Sequence, residues 1–140
     1  MDEVEDVAEQ TRMQRLAVRI FEAARNGETD VLREAMQGGA PPELTNQSGD
    51  TLVMLAAYYG HADAVQVLLD AGAQPDRLND RGQSPLGGAA FKGYRPVVEA
   101  LLAAGADPFG GVPSAMAVAT MFDRTDLLEL FDAALAAKGF

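Results

Sequence analysis

Apolar residues recur along this chain at helical spacing, in runs too short for long helices. Val65, Leu68 and Leu69 lie at i, i+3 and i+4, one face of a helix, and Val98, Leu101 and Leu102 repeat the pattern further on. Ahead of each run comes a second short helix. Thr51 is a helix N-cap, residues 52–59 read as helical, and Gly60 ends them by allowing a left-handed backbone. Gly72 ends the helix that follows. Ser84, Gly93 and Gly105 punctuate the next pair in the same way, with Pro96 tolerated in a first helical turn. At the N-terminal end Leu16, Ile20, Phe21 and Ala24 form one stripe expected to be buried against Leu32, Ala35 and Met36, with Glu22, Arg25 and Arg33 facing out. At the other end Leu127, Leu128, Leu130, Phe131 and Leu135 are expected to close the structure.

These helix pairs keep time with one another at a period of 33 residues. Gly27, Gly60 and Gly93 share one column, Gly39, Gly72 and Gly105 a second, Ala24, Ala57 and Ala90 a third, and Pro42, Pro75 and Pro108 a fourth. Asn46 answers Asn79 and Gly49 answers Gly82. A last copy aligns at a shortened spacing of 29, which sets Ala119 against Ala90 and Leu127 against Val98. Such a period marks a stack of small units, each contacting only its neighbours, with degenerate end units acting as caps. A stack of this kind offers a long surface and no deep cleft by default, so the pattern favours binding over chemistry.

Composition narrows the picture. The 140 residues suit one domain, 48% hydrophobic and 23% charged as in ordinary folded chains. No cysteine is present, which excludes disulfides and thiolate chemistry, and no apolar run approaches the roughly 20 residues that span a bilayer. The acidic start, unlike a basic-then-apolar leader, leads us to expect a cytoplasmic protein. Formal net charge is −10; Asp2, Glu3, Glu5, Asp6 and Glu9 against Arg12 carry four of those charges. Nucleic-acid binding starts from a basic stripe, so no nucleic-acid partner is expected. A basic protein partner is allowed by the charge, and a monomer is expected.

The residues Gly82-Gln83-Ser84-Pro85-Leu86, Ala89-Ala90, Gly93, Val97-Val98, Leu101-Leu102 and Gly105-Ala106-Asp107 resemble an ankyrin repeat. The preceding unit matches through Gly49-Asp50-Thr51-Leu52, Ala56-Ala57, Gly60-His61, Leu68-Leu69 and Gly72-Ala73. The chain is most similar to small bacterial ankyrin-repeat proteins over residues 14–140, with units at about 14–45, 46–78, 79–111 and 112–140, preceded by an acidic segment, 1–13, that either extends the first helix or is disordered. The resemblance implies an all-α solenoid with hairpin-like fingers that binds a protein partner, without a cofactor or an activity of its own. The family's contact positions are its finger tips and the two residues before the glycine that ends each first helix. On this chain they are Gln47, Ser48, Asp50, Tyr58 and Tyr59 in one unit and Asp80, Arg81, Gln83, Phe91 and Lys92 in the next. The outer units supply Arg25, Asn26, Thr120 and Met121. Aromatics beside cations on one strip are the residue types of binding hot spots.

One departure stands out, because Gly87-Gly88 places two glycines inside a helix, at about 1 kcal/mol each relative to alanine. Either a bulky neighbour such as Met54 or Val118 packs into the space, or a notch opens to receive a partner's side chain. Candidate chemistry is thin. His61 follows Gly60 at a position where the family uses the ring to tie loops together. The acidic residues 2–9 lack the turned loop of a calcium site, and no glycine pair has the lysine or spacing of a phosphate loop. Two readings remain: a protein-binding adaptor or regulator, and an acidic inhibitor or immunity-type protein that neutralises a basic enzyme.

Overall fold

The computed structural model describes residues 3–139, and among them it holds eight helices in four pairs. The pairs are α1 (Glu3–Asn26) with α2 (Thr29–Gln37), α3 (Leu52–Tyr58) with α4 (Ala62–Asp70), α5 (Pro85–Lys92) with α6 (Arg95–Ala103), and α7 (Ala115–Met121) with α8 (Thr125–Ala137). The first helices stand side by side as an inner row, α1 on α3 on α5 on α7, and the second helices make an outer row in the same order. Hydroxyl caps start three of the four inner helices. Thr51 Oγ1 accepts from Met54 N at 3.0 Å, Ser84 Oγ from Gly87 N at 2.9 Å and Ser114 Oγ from Ala117 N at 3.1 Å. Each such cap contributes about 1 kcal/mol.

The core runs between the rows. Leu52, Val53, Val65 and Leu68 are fully buried, as are Leu86, Val97, Val98 and Leu101, and the last unit closes on Leu127 and Phe131. Leu69 and Leu102 pack at its margin. Each fully buried branched side chain stabilises the fold by about 1.5–3 kcal/mol. Within the inner row the contacts are made by small residues: Ala23, Ala24, Ala56, Ala57, Ala89 and Ala119 are fully buried, and Ala90 nearly so. Methyl groups in place of longer side chains let short helices stand close together.

A second column locks each unit to the next. The residue after the left-handed position that ends each inner helix reaches back over the glycine of the unit before it: His61 covers Gly27, Tyr94 covers Gly60 and Arg124 covers Gly93. A Cβ built on Gly27 would lie 2.5 Å from Nδ1 of His61, and one on Gly60 would lie 3.0 Å from the Tyr94 ring. Glycine is therefore required there twice over, for its positive φ and for the missing side chain. Asp123 takes the same place in the last unit, with φ 53. No following unit covers it among the described residues, so a side chain fits, and aspartate is among the residues that tolerate this backbone.

Two sequence expectations are corrected here. Leu16 is 53% exposed rather than part of the buried stripe, because α1 is far longer than α2 and its buried residues are confined to its last turns at Ile20, Ala23 and Ala24. The fourth unit runs at a spacing of 30, not 29. Asp123 N donates to Thr120 O and Arg124 N to Ala119 O, the bonds that Gly93 N makes to Ala90 O and Tyr94 N to Ala89 O. Ala119 thus answers Ala89, and Leu127 answers Val97.

Candidate functional site

The corrected register changes which side chains line up on the inner row. The two positions before the left-handed residue are Tyr58 and Tyr59 on α3, Phe91 and Lys92 on α5, and Met121 and Phe122 at the end of α7. Tyr59 is 48% exposed, Phe91 58%, Met121 70% and Phe122 55%, while Tyr58 is half-buried. Neighbours in the strip touch edge to face: Tyr58 and Tyr59 with ring centroids 5.4 Å apart, Phe91 and Phe122 at 5.9 Å. Lys92 Nζ stands 4.8 Å from the centroid of the Tyr58 ring, a cation–π contact that ties the α5 end of the strip to α3. Phe122 escaped the sequence reading because the one-residue slip gave its place to Met121 and put Thr120 in that of Phe91. Thr120 is instead held by its own helix, its Oγ1 donating to Met116 O at 2.8 Å.

The fingers are built around two asparagines. Asn46 Oδ1 accepts from Ser48 N and Asp50 N, and Asn79 Oδ1 accepts from Arg81 N and Gln83 N, which folds each finger into a tight turn. Asp80 N donates to Ser48 O at 3.0 Å, joining one finger to the next. Asp50 is half-buried, and its two carboxylate oxygens accept from Asn79 Nδ2 at 2.8 Å and Asn46 Nδ2 at 3.3 Å. Gln83 Oε1 likewise accepts from Asn79 Nδ2 at 2.8 Å. These two residues hold the fingers together, whereas Gln47, Asp80 and Arg81 stand exposed at the tips.

Between fingers and strip lie two adjoining recesses. One, of about 240 Å³, has Gly87 and Gly88 in its lining beside Met54, Tyr58, Phe91 and Val118. The other, of about 200 Å³, shares Met54, Tyr58 and Gln83 with it and adds Asp50, Tyr59 and Arg81. Met54 and Tyr58 come within ordinary contact of Gly88, at 3.5 Å from where its Cβ would stand, yet they leave the space above it open. Close packing and a notch are therefore both present. Gly87 is tighter: a Cβ there would meet Ser84 Oγ at 3.0 Å and Pro113 O at 3.3 Å.

His61 lies apart from this face. Its Nε2 is 2.8 Å from Arg25 O, so that nitrogen carries the proton and donates to the preceding unit's backbone. The carboxyls with displaced pKa values also lie elsewhere. Hydrogen bonding to Arg19 holds Glu28 below its usual range, and Arg124 does the same for Asp126. Among the described residues no three potential metal-ligating side chains cluster, and no helix is long and apolar enough to cross a membrane.

Four stacked helix pairs with glycine-ended inner helices and asparagine-braced fingers define the class of protein. A family model for ankyrin repeats, in three copies, matches residues 20–109, and the chain belongs to the ankyrin repeat family. The chain is similar to a curated ankyrin repeat protein of Pseudomonas aeruginosa, 45% identical over 40 residues, which is 29% of this chain. That match spans only 23% of the relative's length. Ankyrin repeats are generally protein–protein interaction modules and generally non-catalytic.

Proposed function

We propose that this protein is a non-catalytic binding module, an adaptor or regulator, that holds a protein partner on its inner face. The observation that carries the reading is the run of Tyr59, Phe91, Met121 and Phe122, large side chains standing about half exposed or more in consecutive units of the inner row. Scattered exposed apolar residues are ordinary, but a contiguous strip on a rigid scaffold is the usual mark of a docking surface. Tyr58 and Lys92 brace the strip, and Gln47, Asp80 and Arg81 on the finger tips, with Asp50 and Gln83 behind them, form its polar rim. The absence of cysteine from the sequence suits work in the reducing cytoplasm.

The inhibitor reading, in which a basic enzyme is captured by charge, finds less support. Beside the recesses Asp50 and Asp80 are matched in number by Arg81 and Lys92, so the acid excess of the chain is not gathered there. The test is affinity capture with quantitative mass spectrometry, comparing wild type with the triple variant Tyr58→Ala, Tyr59→Ala, Phe91→Ala after far-UV circular dichroism has matched their helicity. A protein retained by wild type and lost from the variant is the expected result. Equal retention by both would move the site off the inner face.

A further inference from the structure

Arginine and lysine are outnumbered nearly two to one by acids in this chain, 11 against 21, so an unpaired cation is unexpected. Most are paired: Arg12 with Glu9, Arg19 with Glu28, Arg33 with Asp30, Arg77 with Glu43, Arg95 with Glu99, and Arg124 with Asp126. Lys138 donates to Gly105 O. Four side chains have neither a carboxylate nor a carbonyl partner among the described residues: Arg15, on the exposed part of α1, and Arg25, Arg81 and Lys92. The last three all belong to the inner face. Arg25 holds on α1 the place of Tyr58 on α3, Arg81 lines the smaller recess, and Lys92 lies over the Tyr58 ring. Asp50, whose carboxylate lines the same recess as Arg81, already accepts from two asparagine amides.

The larger recess sets the other half of the recognition. At about 240 Å³ it falls below the roughly 300–1,000 Å³ of pockets that enclose a whole small molecule; Met54, Tyr58, Phe91 and Val118 supply its apolar walls over Gly88, with Gln83 and Ser84 on its finger side. That is room for one apolar side chain. We propose that the inner face takes an acidic peptide segment of its partner, with one aliphatic or aromatic side chain seated over Gly88 and a neighbouring carboxylate paired with Arg81 and Lys92. This rests on the inner-face reading and sets aside the basic partner that net charge allows. Net charge governs long-range approach, but a docked segment meets the local charges, and here Arg81 and Lys92 form no salt bridge among the described residues while Asp50 is taken up by two asparagine amides.

The experiment is selection of a displayed random dodecapeptide library on the intact chain, followed by fluorescence anisotropy with the enriched peptides. The expected consensus is one Leu, Met, Ile or Phe with Asp or Glu within three positions. Arg81→Glu and Lys92→Glu should each weaken such a peptide about tenfold, and Gly88→Val, which fills the recess, at least as much. Gly88→Ala, whose Cβ meets only ordinary contacts, guards against a folding artefact and should weaken binding by a smaller factor. Peptides lost on Tyr59→Ala and Phe91→Ala but basic or uncharged, and indifferent to both charge reversals, would overturn the proposal while leaving the inner-face reading intact. Peptides insensitive to Tyr59→Ala and Phe91→Ala would overturn both, and a failure to enrich any peptide counts against the acidic-segment proposal.

Discussion

Replacing Gly27 by alanine tests the inter-unit lock directly. Two costs arise there. The backbone sits at φ +72, where a side chain costs about 1–2 kcal/mol. The new Cβ would also fall 2.5 to 2.9 Å from three atoms of the His61 ring, which is held by its bond to Arg25 O and must move. Overpacking of this kind costs about 1–3 kcal/mol, so Gly27→Ala should destabilise by about 2–5 kcal/mol. Removing the ring first abolishes the second cost: in a His61→Ala background the same substitution should cost only about 1–2 kcal/mol. Gly72→Ala is the control, with φ +99 and nothing within 4 Å of its Cβ, and it should cost the backbone share alone. Urea unfolding at matched m-values reads all four variants. If Gly27→Ala cost the same with and without His61, the covering ring would be no constraint and the account of that column would be wrong.

Asp123→Gly should raise stability by about 0.5–1 kcal/mol in the same assay, because the left-handed cost removed exceeds the backbone entropy of glycine. Gly88→Ala should stabilise by about 0.5–1 kcal/mol through helix propensity, while Gly87→Ala should gain nothing or lose, since its Cβ crowds the capping hydroxyl of Ser84; thermal unfolding separates the two. In acid, the pairing that depresses Asp126 contributes stability fully present above the ordinary carboxylate range and lost as pH falls through the depressed value. Asp126→Asn should therefore flatten the acid limb of the stability–pH profile, and its unfolding midpoint should match wild type at the lowest pH; an unchanged limb would show the pair to be idle.

Much of the fold was legible because the residues that build it act locally. Thr51 and Ser84 cap the helices they precede in sequence, and glycine columns spaced by 33 announce where backbones turn left-handed. The family match bears out the ankyrin resemblance and the all-helical stack. The reading failed where a place was kept but its residue changed. Asp123 does the work of glycine without looking like it, so the alanines of the last unit point to a register one residue short of the one its hydrogen bonds define. That slip hid Phe122, which stands beside Phe91. Leu16 failed for another reason, since a helical stripe tells which face is apolar but not how far the neighbouring helices extend along it. The unpaired state of Arg81 and Lys92 had no sequence signal, because ion pairing is settled by which chains meet in space.

The covering of each glycine by the following unit has a consequence for descent as well as stability. A stretch such as 79–111 carries both halves of the joint, Gly93 to be covered and Tyr94 to cover, and Tyr94 already fits over a glycine at Gly60. A tandem duplication of that stretch would place a second Tyr94 over the first Gly93 and leave Arg124 to cover the new one, with no compensating substitution needed. Lineages of such a gene can lengthen or shorten the array by whole units in a single recombination event, and the strip of side chains it displays grows or shrinks with it.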